Sequence, residues 1–246
     1  MSDRGEVLDT LRGLGYGEDD ATTLADHFLD AEARGKRGHG LTRVEWLTTL
    51  TDLDPSARPE RVLAEPGFER WDGREALGYL TLAAICRAQL EDPPAHARVI
   101  VAVRCFPTGM LGYWVRKLAD GGLVAALTAT SPARLGHPDG GPPLTGTNPL
   151  AIAIPSSDGR PIVSDVSMGA VTYGDVLAGV ATNDELVPFG GEQAHKAFAL
   201  AVGLQLLVDS LIGDGFGAVM LVARPEADPV PALRARAAGA RLPGDR

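Results

Sequence analysis

Cysteine is nearly absent from this chain: Cys86 and Cys105 are the only two among 246 residues. That count excludes a thiolate metal cluster and a disulfide-stapled scaffold, and it predicts free thiols in a reducing compartment. Residues 1–10 are polar and lack the apolar core of a signal peptide, so a cytoplasmic location is expected. Positive charge is also scarce, with 23 Lys and Arg against 32 Asp and Glu and a net charge of −9. No basic run or stripe interrupts that balance, and aromatic residues make up only 5%. Nucleic acid and anionic membrane surfaces are therefore excluded as expected partners. The nucleotide-binding glycine patterns are missing too. No GxGxxG follows a strand and there is no GxxxxGK[ST], while the glycines from Gly13 to Gly17 follow a helical pattern and read as the turn that ends it. HExxH and GxSxG are absent, and His27, His39, His96, His137 and His195 share no metal-ligand spacing. Only one long apolar run exists, 197–212, and Gln205 and Asp209 interrupt it. It is short for a membrane span and predicts a buried core helix.

What is present is a turn-rich chain, with 30 Gly and 18 Pro dispersed along it. Apolar periodicity predicts helices over 4–16, 19–34 and 40–52, followed by a Pro-rich polar connection at 54–67. The pattern then alternates. Helix 75–90, strand 98–103, helix 110–119 and strand 122–129 lead into a Gly/Pro loop at 131–146. The most informative stretch follows. Gly146-Thr147-Asn148-Pro149 turns into an apolar strand, Leu150 to Ile154, and Ser156-Ser157-Asp158-Gly159 reverses the chain. A second strand, Pro161 to Val166, places Asp165 and Ser167 at its end, where small-molecule sites are commonly built. Helix 194–212 and a strand at 218–223 complete the pattern. The expected class is α/β: a helical N-terminal unit over 1–65, packed on a mixed-sheet domain over 66–223 that is not of the Rossmann type, with a loosely attached tail at 224–246.

Two clusters could carry chemistry. In Gly38-His39-Gly40-Leu41-Thr42-Arg43, His39 and Arg43 lie four residues apart at a helix start and share a face. A guanidinium can fork a carboxylate while an imidazole polarises or protonates the neighbouring group, which suits a 2-oxo or 2-imino acid. The same residues are also compatible with a solvated helix start after a basic turn. In Gly190-Gly191-Glu192-Gln193-Ala194-His195-Lys196, a helix N-terminus with a lysine could receive a cofactor phosphate, or could be an ordinary loop.

Taken in order, these segments resemble the malate/L-lactate dehydrogenase family that lacks a Rossmann fold, which includes ureidoglycolate and sulfolactate dehydrogenases and piperideine-2-carboxylate reductase. The family's Ser-His-Gly-x-x-Arg looks like Gly38 to Arg43. Its Gly-Thr-Asn-Pro strand and Asp-ended partner look like Gly146 to Ser167, and its Gly-Gly…His-Lys helix looks like Gly190 to Leu200. The resemblance implies an NAD- or NADP-dependent homodimer acting on a small carboxylate-bearing substrate. By position, His39 and Arg43 would face substrate, and Ser131, Asn148, Asp165, Ser167, His195 and Lys196 would surround the cofactor. Five places depart from the pattern. Pro107-Thr108-Gly109 stands where the family has a catalytic His-Phe-Gly, Gly38 replaces a serine, Asp175 replaces a lysine, and Ala197 and Ala199 replace glycines. Two expectations follow. One is an oxidoreductase of small 2-oxo or cyclic 2-imino acids. The other is the same scaffold turned to non-redox work, as an isomerase, cyclase, lyase or carboxylate-binding protein.

Overall fold

The computed structural model describes residues 3–245. Helices α1 (Arg4–Gly13) and α2 (Glu18–Ala33), a 3-10 turn (Arg37–His39) and α3 (Leu41–Leu47) form the N-terminal part. Strands β1 (Glu60–Glu65) and β2 (Phe68–Asp72), helix α4 (Gly78–Glu91), β3 (Ala97–Val103), α5 (Leu111–Asp120) and β4 (Val124–Ala129) follow. Next come β5 (Leu150–Ile154), β6 (Ile162–Val166), a one-turn α6 (Tyr173–Leu177), the long α7 (Ala194–Ile212), β7 (Gly217–Ala223) and α8 (Val230–Ala237).

The seven strands make one mixed sheet in the order β1-β2-β3-β7-β4-β5-β6. Only β2 and β3 pair in parallel; every other neighbouring pair is antiparallel. With a single parallel pair, the sheet is not doubly wound and has no Rossmann switch point. The last strand in sequence, β7, lies at the centre between β3 and β4.

Alternation along the strands gives the sheet two unequal faces. On one face Ile100, Ala102, Ala125, Leu127, Ala151, Ala153, Met220 and Val222 are buried. The small alanines of β4 and β5 let α5 settle closely, through Trp114, Val115 and Leu118. Val7, Leu11, Leu24, Phe28, Val44 and Leu47 join the same cluster, so the N-terminal helices share one core with the sheet. The other face carries α7, which buries Val208 and Ile212 against Val101, Val103 and Val219, with Leu135 and Met168 packing beside it around Leu150.

Three expectations need correction. Residues 60–65, expected to be connection, form β1; the strand is exposed throughout and has no apolar alternation to betray it. Helix α7 matches its expected bounds but is not a buried core helix: Leu200, Leu206 and Leu207 are 53%, 62% and 46% exposed. Gly191–Ile212 is long and apolar enough by composition to cross a membrane, yet it docks on the sheet by one stripe. The tail is not loosely attached. Ser157 donates to Asp228 through its amide and hydroxyl (2.8 and 2.7 Å). Arg234 reaches Asp245 (2.9 Å) and the Arg160 carbonyl (3.0 Å), and the Val163 amide donates to the Pro243 carbonyl at 3.2 Å, so the tail clasps the β5–β6 hairpin.

Candidate active site

A cavity of about 230 Å³ opens where the 3-10 turn, α3, the 104–110 loop, the end of β4 and α6 converge. Local chemistry explains the convergence. The Glu32 carboxylate accepts from the Leu41 amide (3.1 Å), capping α3 at its start. Thr172 and Asp175 form a reciprocal capping box that starts α6, with Asp175 accepting from the Thr172 amide at 2.8 Å. The two starts pack backbone to backbone through Gly38 and Gly174. A methyl group on Gly38 would come within 2.5 Å of the Gly174 carbonyl carbon. That contact accounts for glycine where the resembled pattern has serine, and the capping box accounts for Asp175.

His39 and Arg43 both line this cavity. The Arg43 Nε donates to the Gly38 carbonyl at 2.8 Å, and its guanidinium carbon lies 5.2 Å over the Trp46 ring. The two terminal nitrogens have no carboxylate partner among the described residues. His39 is half-buried as a residue, but its Nδ1 is shielded from solvent and unpartnered. Burial first, then the charge of Arg43, pushes its pKa down to about 4, against the opposing pull of Asp175. The imidazole is thus neutral at pH 7, a hydrogen-bonding group with a free nitrogen and not a standing cation.

A second cavity, of about 270 Å³, adjoins the first and shares His39, Gly109, Thr147, Pro149 and Thr172 with it. Lys36, Asp165 and Ser167 line this chamber. Asp165 accepts from the Gly112 amide at the start of α5 (2.8 Å), and Ser167 accepts from the Gly169 amide (3.1 Å). Burial raises the Asp165 pKa, while the Gly112 amide, Lys36 and Arg116 pull it back.

The residues expected around a cofactor therefore separate. Ser131 lines the first chamber, and Asp165 and Ser167 the second. Asn148, at positive φ, is wholly buried and donates to the Ala201 carbonyl (3.0 Å) and the Gln205 side chain (2.9 Å). It fastens the hairpin to α7 and faces neither chamber. His195 and Lys196 lie exposed on the first turn of α7 and line neither chamber.

The loop that stands where the resembled pattern has a histidine, Phe106 to Gly109, forms one wall of the first chamber, and Met110 lines the second. Thr108 accepts from the Trp114 indole at 2.9 Å, and the Met110 amide donates to Nε2 of His27 at 3.0 Å. His27 is fully buried, stacked on Trp114 and edge-on to Phe28, Tyr79 and Tyr113. Burial pushes its pKa down to about 3, so it is a neutral acceptor that holds the loop. Gly109 passes it at φ +69°, where a methyl group would meet the ring at 2.5 Å. Sequence reasoning missed Tyr79, Arg134 and Tyr173, which also line the chamber. Arg134 comes from an irregular loop and Tyr173 opens the one-turn α6, which is too short for a periodicity to mark it.

The sequence model of the malate/L-lactate dehydrogenase family matches residues 4–186. The chain is 28% identical over 245 residues to a Δ1-pyrroline-2-carboxylate/Δ1-piperideine-2-carboxylate reductase of Pseudomonas syringae pv. tomato, covering 86% of this chain and 70% of that protein. It is 29% identical over 198 residues to a 2,3-diketo-L-gulonate reductase of Salmonella paratyphi B, covering 76% of this chain and 57% of that protein. Among solved structures, a dehydrogenase from Sinorhizobium meliloti superposes with a TM-score of 0.83 at 26% identity, over 98% of this chain and 88% of that one. The Δ1-piperideine-2-carboxylate reductase of Pseudomonas syringae superposes with a TM-score of 0.82 at 25% identity, over 99% and 90%. The matched residues end before α7, so His195 and Lys196 lie outside them.

Proposed function

Because the chain belongs to the malate/L-lactate dehydrogenase family, we propose that it is an NAD(P)-dependent oxidoreductase acting on a small 2-oxo or cyclic 2-imino acid. One observation carries this reading: Arg43, with its terminal nitrogens unpaired by any carboxylate, and neutral His39 share a small cavity with no acidic lining residue. A forked guanidinium holds a substrate carboxylate, which places the adjacent C2 beside the imidazole. The adjoining chamber, lined by Lys36, Asp165, Ser167 and Asp175 and opening onto His39, is of a size for the nicotinamide ring of the cofactor and not for its phosphates. When bound there, the reduced cofactor supplies hydride to C2.

The proton decides between substrates. Reducing a ketone creates an alkoxide that must be protonated as hydride arrives, whereas an iminium becomes a neutral amine. Pro107 and Thr108 supply no imidazole, and His39 at about 4 carries no spare proton at pH 7. Cyclic 2-imino acids are therefore the better substrates. The test is NAD(P)H consumption with pyruvate and with Δ1-piperideine-2-carboxylate side by side, preceded by binding titrations with NADH and NADPH. Faster turnover of pyruvate would overturn the imine preference. The missing histidine also supports a second reading, non-redox chemistry or carboxylate binding on the same scaffold, to which absent cofactor binding up to millimolar concentration would shift the case.

The working unit is a homodimer and its compartment cytoplasmic. Leu200, Leu206 and Leu207 on α7, with Ile152 and Leu221 on the half-covered sheet face, support self-association. Light scattering that gives a monomer mass at micromolar concentration would count against the dimer.

A further inference from the structure

Reduction of a ketone in the chamber beside α3 needs a proton, and no imidazolium stands there to give it. The lining narrows the choice of donor. The guanidiniums of Arg43 and Arg134 do not release protons, and His39 is neutral. The serine and threonine hydroxyls and the Trp46 indole are far weaker acids than a phenol. Two phenols remain, Tyr79 and Tyr173. Tyr173 is half-buried, and the guanidinium carbon of Arg134 sits 3.4 Å over its ring.

Tyr79 is placed differently. It is the second residue of α4, and the start of that helix is bonded to the stretch where the resembled pattern has its histidine. The Gly78 amide donates to the Phe106 carbonyl (3.3 Å), and the Cys105 thiol donates to the Gly78 carbonyl (3.7 Å). A methyl group on Gly78 would meet the Pro107 carbonyl oxygen at 2.7 Å, so only glycine allows the approach. The Tyr79 ring is 1% exposed and lies edge-on to His27 and Phe28, with centroids 4.9 and 5.2 Å away. Gly109 passes so close that a methyl group there would strike the ring. These contacts pin the ring against the loop.

The hydroxyl is not pinned. It makes no hydrogen bond among the described residues, yet it is not sealed from solvent as Nδ1 of His39 is. Since Tyr79 lines the chamber, that is where the hydroxyl opens. Burial holds the phenol above its ordinary pKa, and the charge of Arg43 pulls it back. The proton is in place at pH 7, and the same guanidinium steadies the phenolate formed when it leaves.

We propose that Tyr79 is the proton donor of this chamber, giving its phenolic proton to the C2 oxygen of a bound 2-oxo acid as that carbon is reduced. The inference rests on the oxidoreductase reading above and extends it to ketones. The cofactor's hydride forms the new C–H bond, and the C=O π pair takes the Tyr79 proton to form the O–H bond of a 2-hydroxy acid. Water then reprotonates the phenolate. A protonated cyclic imine takes hydride without this step and stays the faster substrate.

The test is Tyr79→Phe, which keeps the ring packed on His27 and Phe28 and removes only the hydroxyl. Wild type should reduce pyruvate, more slowly than Δ1-piperideine-2-carboxylate. The variant should lower kcat on pyruvate by about 100-fold or more, and leave kcat on the imine within about three-fold in mildly acidic buffer, where the imine carries its own proton. Calorimetric binding of oxamate, an unreactive mimic of a 2-oxo acid, reads the same contact without turnover. Tyr79→Phe should weaken it roughly two- to ten-fold, the scale of one net hydrogen bond. Equal losses on both substrates, retained pyruvate turnover, unchanged oxamate binding, or a loss on pyruvate in Tyr173→Phe instead would each overturn the assignment. So would a wild type that reduces the imine and not pyruvate, which leaves the oxidoreductase reading intact. No cofactor binding and no turnover of either substrate would overturn that reading and the inference together.

Discussion

Arginine is drawn inward at two corners of this molecule, fully buried in one and half-buried in the other, and its surroundings in the two are opposite. At the outer end of the sheet, Arg98 meets Glu69 at 3.2 Å, with the side chains 8% and 2% exposed. Arg98 also donates to the Gln89 side chain (2.8 Å) and the Asp92 carbonyl (2.9 Å), while Glu69 accepts from the Trp71 indole (2.8 Å) and Gln89 (3.0 Å). Every charge there is answered from within the chain. In the chamber beside α3, Arg43 and Arg134 rest on aromatic rings and meet no carboxylate among the described residues. A closed network fixes structure, and leaving one of its charges unpaired is costly. An open pair keeps its donors for something the chain does not contain. Substitutions in the first corner should therefore change stability, and those in the second should change binding.

The largest effect should come from Glu69→Leu, which leaves Arg98 charged, buried and without its acid. Denaturant unfolding should show a loss of about 3–5 kcal/mol, with carboxylate affinity in the folded fraction unchanged. A loss below about 1 kcal/mol would erase the contrast between the corners. Arg43→Met should do the reverse. Carboxylate binding should weaken by about 1.5–3 kcal/mol, while unfolding changes by no more than the one hydrogen bond to Gly38, about 1 kcal/mol. His39→Ala should lower turnover more than it weakens binding. Equal kinetics for wild type and both variants would remove this chamber from the chemistry.

Acid should weaken the pocket corner specifically. His27 and His39 have folded pKa values of about 3 and about 4, below the ordinary 6.5, so the unfolded chain takes up protons first as pH falls. Their contribution is complete above about pH 6.5 and is lost progressively toward pH 4 and below, by roughly 2.5 kcal/mol per buried imidazole near pH 4.5. Unfolding titrations across that window should show the slope, and His27→Gln should flatten part of it. A pH-independent wild type between 6.5 and 4.5 would mean that both rings are protonated in the fold. The smallest effect belongs to Asp175→Asn. It loosens the capping box of α6 by about 0.5–1 kcal/mol, which thermal unfolding would register as a shift of a few degrees or less.

The parts of this contrast visible in the sequence are those written locally. His39 and Arg43 share a face because four residues make about one helical turn, and the β5–β6 hairpin follows from Asp158-Gly159 between two apolar strands. Helix α7 matches its predicted bounds because a Gly pair precedes it and Gly213 ends it. Its exposure was not legible, because an apolar helix looks the same whether its own chain or another covers it. Strand β1 carries no alternation, and the tail clasp depends on partners such as Ser157 and Asp228, which lie 71 residues apart. Arg134 and Tyr173 meet only when the loop after β4 and the one-turn α6 fold together, so neither spacing nor composition marks them.

The place of β7 has a consequence in time. It is synthesised after all six strands that it joins, linking β1-β2-β3 to β4-β5-β6. A nascent chain ending before Gly217 lacks the strand that pairs both β3 and β4, so the edges of both are unpaired. Closing the gap needs contacts far apart along the chain, which makes the joining step slow relative to the local hairpins. Until β7 arrives, those two open edges are the part of the molecule most exposed to misassociation on the ribosome, and the part a chaperone would have most reason to hold.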